Sequence, residues 1–237
     1  MSLSAMIDRP GRLTDAVHSR LRSAVLAGDP APGEQLSVPK LARLLDVSRG
    51  SVREAVLQLV ADGLAEERPR RGVVVVRLGL AETRYLHQVR EVLEGLAAGL
   101  CASTASESLV GELGAALDAQ AEAIGASDGA GYADTDTRFH SLIAQACGNP
   151  MLERLIERLH DQMQVALVQI AESPVHRGHG HEELRAVVAA IRNQDPVAAE
   201  LAMRAHVART RAELGSDHVS DEIKDAKQTG GTGCGRR

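Results

Sequence analysis

Residues 32–76 read PGEQLSVPKLARLLDVSRGSVREAVLQLVADGLAEERPRRGVVVV, and their spacing decides the fold of the first third of the chain. Ser48 caps a helix in which Val52, Val56, Leu59 and Val60 recur as a buried stripe, with Arg49 and Arg53 together on the opposite side. Gly63 ends it. Upstream, Ser37 caps a shorter helix that tolerates Pro39 in its first turn and turns Leu41, Leu44 and Leu45 inward; Asp46 and Val47 form the tight turn between the two. Downstream, residues 64–68 and 73–77 are extended runs around a Pro-Arg-Arg-Gly turn, the pattern of a two-stranded wing. Before the stretch, residues 14–27 place Val17, Leu21, Ala24 and Val25 at helical spacing, with Thr14 as N-cap and Gly28 as stop. Three helices and a β-hairpin wing make a winged helix-turn-helix over residues 1–78.

The remainder of the 237 residues changes character. From about 80 to 214 every periodic segment is helical: near 80–103, 107–126, 132–147, 150–172, 178–193 and 196–214. The expected fold is therefore mainly α, the winged module followed by an all-α six-helix antiparallel bundle over residues 79–214. Residues 215–237 lose periodicity and are expected to be a disordered tail. Only Tyr85, Tyr132 and Phe139 are aromatic, so Ala and aliphatic side chains must fill the core, which favours closely packed helices.

The net charge of -5 is unevenly spread. Residues 1–77 carry 12 Lys and Arg against 9 Asp and Glu, leaving 15 against 23 beyond, so only the first part is suited to phosphates. No apolar run is long enough for a membrane span, and no signal-peptide pattern opens the chain, which predicts a cytoplasmic protein. Cys101, Cys147 and Cys234 have no CxxC spacing and are expected to be ordinary thiols.

A DNA-reading helix needs side chains that reach base edges and backbone donors for phosphate at its start. Arg49 and Arg53 supply forks that suit guanine in the major groove, Ser48 supplies the helix start, and Arg70 and Arg71 sit at the wing tip. With VSR, VREA, DGL and RRG in order, residues 12–76 resemble the GntR family of bacterial regulators. The resemblance implies operator-contacting roles for Arg49 and Arg53 and a wing role for Arg71 and Gly72. Where many members carry Arg at the start of the second helix this chain has Pro39 beside Lys40, a point charge that holds phosphate without a planar fork.

In the helical region Asp136 and His140 lie four apart on one face, His181 opens a helix with Leu184, Val188 and Ile191, and His206 shares a stripe with Met203 and Val207. Four polar groups aimed at an apolar interior need a shared partner, and a divalent metal is the economical one: zinc first, with nickel, manganese or iron as alternatives. This region looks like the FCD effector-binding domain of the FadR branch, through REVLEGLAAGL, DTDTRFHSLIAQACGNPML and HEELRAVVAAIRNQDPVAAELAMRAH. Six helices rather than seven point to the VanR-like subgroup. The resemblance selects Asp136, His140, His181 and His206 as metal ligands, with His179 and His176 competing for the place of His181. It also places Arg90 at the effector, the other reading of Arg90 being a surface pair with Glu94. Ser141, Asn149 and Thr210 are further polar candidates, whereas His18, His87, His160 and His218 receive no role.

The implied function is a DNA-binding repressor, a homodimer on double-stranded operator DNA, controlled by a small carboxylate metabolite at a metal-containing cavity. A metal-responsive sensor is the alternative. A metal-dependent hydrolase is disfavoured because neither HExxH nor a spare general base is present.

Overall fold

The computed structural model describes residues 11–167 and 177–229. Among them the order is α1 (Gly11–Leu26), α2 (Val38–Leu45), α3 (Arg49–Ala61), β1 (Ala65–Arg68), β2 (Gly72–Val75), α4 (Leu80–Thr104), α5 (Glu107–Gly125), α6 (Gly129–Ala146), α7 (Pro150–Leu167), α8 (Arg177–Arg192) and α9 (Pro196–Thr229). The chain divides into two compact units, Met1–Gly79 with Asp161–Ala171, and Leu80–His160 with Glu172–Arg237.

In the first unit α1 and α2 both pack on α3. Val17, Leu21 and Val25 of α1 meet Val52, Ala55, Val56 and Leu59 of α3, all but fully buried. Two sequence expectations are corrected here. Thr14 is not an N-cap: α1 starts earlier, and the buried Thr14 hydroxyl donates to Glu54 Oε2 at 3.1 Å, tying α1 to α3. Leu44 is 74% exposed, because the inward face of so short a helix is centred on Leu41, Ala42 and Leu45, and position 44 lies about 100° round the axis from that centre. Ser37 holds the extended N-cap conformation without a side-chain bond.

The wing is an antiparallel pair with Ala65 opposite Val75 and Arg68 opposite Gly72. A third extended segment joins it, unforeseen from sequence: Gly33 N–H donates to Val75 O at 2.8 Å, Val75 N–H to Glu34 O at 2.9 Å and Leu36 N–H to Val73 O at 2.9 Å. The turn after α1 thus returns as the edge partner of β2, with Gly33 at φ 81° supplying the left-handed residue.

In the second unit, α4 packs on α9, α6 and α8, and α5 on α6 and α8. Small residues let the axes close up: Ala97, Ala98, Cys101 and Ala102 of α4 are fully buried, and a Cβ at Gly99 would stand 3.1 Å from the Pro196 carbonyl. Phe139, the one phenylalanine, is 1% exposed in this core. Cys101 and Cys147 are buried free thiols, and burial pushes Cys101 up to about 11, far from a nucleophile.

α9 runs on through residues 215–229, where the sequence loses its apolar period. Gly215 is its only glycine and no proline follows Pro196, so nothing between them stops the helix.

His87 is 1% exposed on α4, and its Nδ1 faces the Thr83 carbonyl at 3.0 Å. Burial, helped by the nearby Arg90 charge, lowers it from 6.5 to about 4. The unfolded chain therefore binds this proton first. Stability is unaffected above about pH 6.5 and declines as pH falls towards about 4, by roughly 3 kcal/mol from this one ring. Denaturant unfolding across that window should show a shallower acid slope for His87→Gln than for wild type. Identical slopes would remove the assignment.

Candidate DNA interface and candidate metal centre

The residues expected from the sequence to face DNA lie on α2, α3 and the wing. Asp46, at φ 53°, ends α2 by donating its N–H to Ala42 O, which turns the chain directly into α3. Ser48 caps α3, accepting from Ser51 N–H at 3.0 Å. Beyond the cap, Arg49 and Arg53 are exposed, and among the described residues neither meets a carboxylate. Lys40 on α2 is exposed as well. At the wing tip Arg70 adopts φ 63° and Gly72 φ 70°. Arg71 is held at both ends: its carbonyl accepts from Gln35 Nε2 at 2.6 Å and its guanidinium donates to Gly33 O at 3.2 Å. Arg68 is occupied by Glu66 at 2.6 Å.

Inside the helical unit six helices send polar side chains to one place. Glu94 of α4 is its centre, with the carboxylate 3% exposed. Its Oε1 accepts from Arg90 Nε at 2.6 Å and faces His160 Nε2 of α7 at 3.1 Å. Its Oε2 lies 2.6 Å from His140 Nδ1 of α6, close in distance though off the ideal hydrogen-bond direction. Burial alone would raise the Glu94 carboxyl, but the charge of Arg90 and then of His140 hold it well below the usual range. Burial likewise opposes charge on His140, yet Glu94 outweighs it and the ring is shifted up; His160 has less help and is shifted down by burial.

Three of the four residues selected from sequence come together. One ligand atom each from Asp136, His140 and His206 lie within 4.8 Å of one another. His140 Nε2 is 3.8 Å from Asp136 Oδ2, and its ring stacks on that of His206 at 5.4 Å between centroids. That Nε2 is buried and has no hydrogen-bond partner. His206 Nδ1 faces Glu183 Oε2 of α8 at 3.1 Å, and Arg209 donates to the same carboxylate at 2.6 Å. Burial would raise Glu183, but the bonds from His206 and Arg209 bring it down.

His181 stands outside that group of three. Its Nδ1 lies 2.9 Å from Gln120 Oε1 of α5, and Gln120 Nε2 donates to Asp136 Oδ1 at 3.2 Å. The start of α8 is close-packed: a Cβ at Gly180 would meet the Tyr132 hydroxyl at 2.9 Å. The side chains of His176, His179 and His218 lie outside the described residues. A second group, Glu94, His140 and His160, also meets the 4.8 Å limit, sharing His140 with the first.

Arg90 pairs with Glu94, but in the interior rather than on the surface. Asn149 Oδ1 accepts from Met151 and Leu152 N–H at the start of α7, and Thr210 donates to the His206 carbonyl, so both serve the backbone. Glu94, Gln120, His160 and Glu183 were missed as site residues. A signal existed for three of them. Glu94 falls at core spacing between His87 and Ala98, Gln120 between Leu117 and Ala123, and His160 between Ile156 and Met163.

Residues 13–75 match the bacterial regulatory proteins of the gntR family, and residues 85–209 match the FCD domain. The chain belongs to the GntR family, with an FCD domain. This GntR/FCD protein is 26% identical over 231 residues to the HTH-type transcriptional repressor RspR of Escherichia coli strain K12, covering 96% of each chain. It is 28% identical over 217 residues to the HTH-type transcriptional repressor NanR of Enterobacter sp. strain 638, covering 83% of each. Its fold is similar to that of E. coli McbR/YncC, at a TM-score of 0.73 and 23% identity, over 87% of this chain and 98% of that one. Family and relatives are transcriptional regulators that bind operator DNA, not enzymes. Among the described residues no helix is long and apolar enough to cross a membrane.

Proposed function

We propose that this GntR/FCD regulator is a homodimeric repressor. Residues 1–78 grip an inverted-repeat operator through Lys40, Ser48, Arg49, Arg53, Arg70, Arg71 and Gly72. Residues 79–214 bind a small organic acid beside a divalent cation. An acid that favours one of two arrangements of the DNA-binding modules shifts the protein between gripping and releasing. Operator DNA as partner puts its site of action in the cytoplasm.

The observation that carries the effector half is the buried Nε2 of His140, unpartnered beside Asp136 and His206. Leaving such an atom unsatisfied costs about 1–3 kcal/mol, a penalty that a shared cation would remove. The residues present fit one: Asp136, His140 and His206 would hold it, with His181 as the fourth donor. Zinc is the first choice for one carboxylate and imidazoles, ahead of nickel, manganese or iron. When bound, the cation supplies a Lewis-acid site for a carboxylate oxygen. Arg90 has donors beyond the Nε used on Glu94, and these are the protein's own means of orienting an acid.

Two features support the DNA half, namely the uncommitted forks of Arg49 and Arg53 and the repressor names of the relatives. Arg49→Ala and Arg53→Ala should each weaken operator binding by ~1–3 kcal/mol and relax sequence preference, while Lys40→Ala weakens all sequences alike. Footprinting and salt titration of the variants read both effects. Wild-type affinity and preference in both arginine variants would overturn the assignment.

The dimer reading is supported by Tyr85, Val89, Val92 and Leu96, exposed apolar side chains at helical spacing along α4. Sedimentation velocity should give twice the mass of one chain, reduced towards the monomer by Val92→Glu with Leu96→Glu. A wild-type monomer at micromolar concentration that still binds its operator tightly would sink the idea.

Elemental analysis of purified protein should find about one divalent ion per chain, lost on replacing His140 and His206 by Ala. Calorimetry should show weaker binding of the carboxylate effector after metal removal, and thermal stability should fall in the same step. Undiminished acid binding by metal-free protein would reduce the cluster to a buried polar network. Operator affinity that follows metal alone would instead favour the sensor reading.

A further inference from the structure

Gln120 is 1% exposed in the interior of α5 and makes two directed contacts with its amide. Its Nε2 donates to Asp136 Oδ1 at 3.2 Å, and its Oε1 lies 2.9 Å from His181 Nδ1. An ionised carboxylate only accepts, so Asp136 settles which end of the amide it meets. The carbonyl oxygen must then face His181. That oxygen also only accepts, so His181 Nδ1 carries the proton and Nε2 keeps its lone pair.

The same choice is made at His206 by a different partner, and His140 has a carboxylate on the same side of its ring. His206 presents Nδ1 to Glu183 Oε2 at 3.1 Å, and His140 presents Nδ1 to Glu94 Oε2 at 2.6 Å. His181 and His206 are thereby committed to Nε2 as the free lone-pair donor, by acceptors on α5 and α8, while at His140 Nδ1 lies close to Glu94 without hydrogen-bond geometry. The two carboxylates can accept whatever lies opposite them. Gln120 differs, because its orientation is borrowed from Asp136, so the candidate carboxylate ligand and the outlying imidazole are mechanically one unit.

We propose that Gln120 is the positioning residue that brings His181 to the candidate metal centre, grasping Asp136 with its N–H and fixing Nε2 of His181 as the coordinating atom. This rests on the metal reading given above. Glu183 does the equivalent for His206, as outer partners that fix ring orientation generally do.

Nitrogen-15 NMR of the full-length, metal-free protein, at a pH where the rings are neutral, reads each tautomer, and titration with zinc alone reads affinity. Wild type should show His181 as a single Nδ1–H tautomer and bind zinc through its Nε2. In Gln120→Met, which keeps volume but not hydrogen bonding, His181 should become a tautomer mixture while His140 and His206 do not change. Zinc affinity should fall by about 10- to 100-fold. Gln120→Glu keeps an acceptor for His181 but sets a second carboxylate against Asp136, so the His181 Nδ1–H tautomer should persist; a tautomer mixture in this variant would overturn the role of Gln120, and this carries the test if the Met variant fails to fold. Unchanged His181 tautomer together with unchanged zinc affinity in Gln120→Met would overturn the role of Gln120 and leave the metal reading intact. Failure of wild type to bind zinc would overturn both, and is told apart because it needs no variant.

Discussion

One buried negative charge organises the interior of the FCD domain: the carboxylate of Glu94. Removing a carboxylate from water costs several kcal/mol after relaxation, which only close partners offset. Arg90 supplies the full counter-charge from the same helix, and His140 and His160 bring α6 and α7 to the same two oxygens. Loss of Glu94 would leave Arg90 buried without its counter-charge, so these elements are pinned at a point that tolerates little rearrangement. Glu94 lies against the Nδ1 side of His140, and the opposite nitrogen is turned towards Asp136 and His206. The candidate centre therefore takes its geometry from a residue that is not in it.

The two units treat charge in opposite ways. In the winged unit, Arg49 and Arg53 stand on the surface with no carboxylate partner among the described residues, forks of the kind that phosphate neutralises. In the helical unit two carboxylates are neutralised internally, Glu94 beside Arg90, His140 and His160 and Glu183 by His206 and Arg209.

The winged unit was largely legible in the sequence, because caps, glycine stops and hydrophobic period all act locally. Ser48, Gly63 and the wing turn lie where the spacing put them. The misreadings have definite physical causes. Thr14 is an equally good N-cap and buried hydroxyl on sequence alone, and only its neighbour Glu54, 40 residues on, decides between them. Leu44 is apolar and periodic, but a helix of 8 residues has room for only one narrow buried face. In the helical domain the convergence of Asp136, His140 and His206 was legible, and the contacts of their neighbours were not. Glu94, Gln120 and Glu183 act across helices, and no spacing along one helix reports which residue of another it meets.

The wing is stitched to the segment after α1 by backbone bonds from Gly33, Leu36 and Val75, and by the grip of Gln35 and Gly33 on Arg71. A β-hairpin alone is marginal in water, and its tip would sample many conformations. Here the ordering entropy is settled when the domain folds rather than when it meets a duplex. On the DNA-binding role proposed for it, Arg71 would arrive as part of a fixed template that discriminates groove width by fit, where a loose finger would adapt to any groove it encountered.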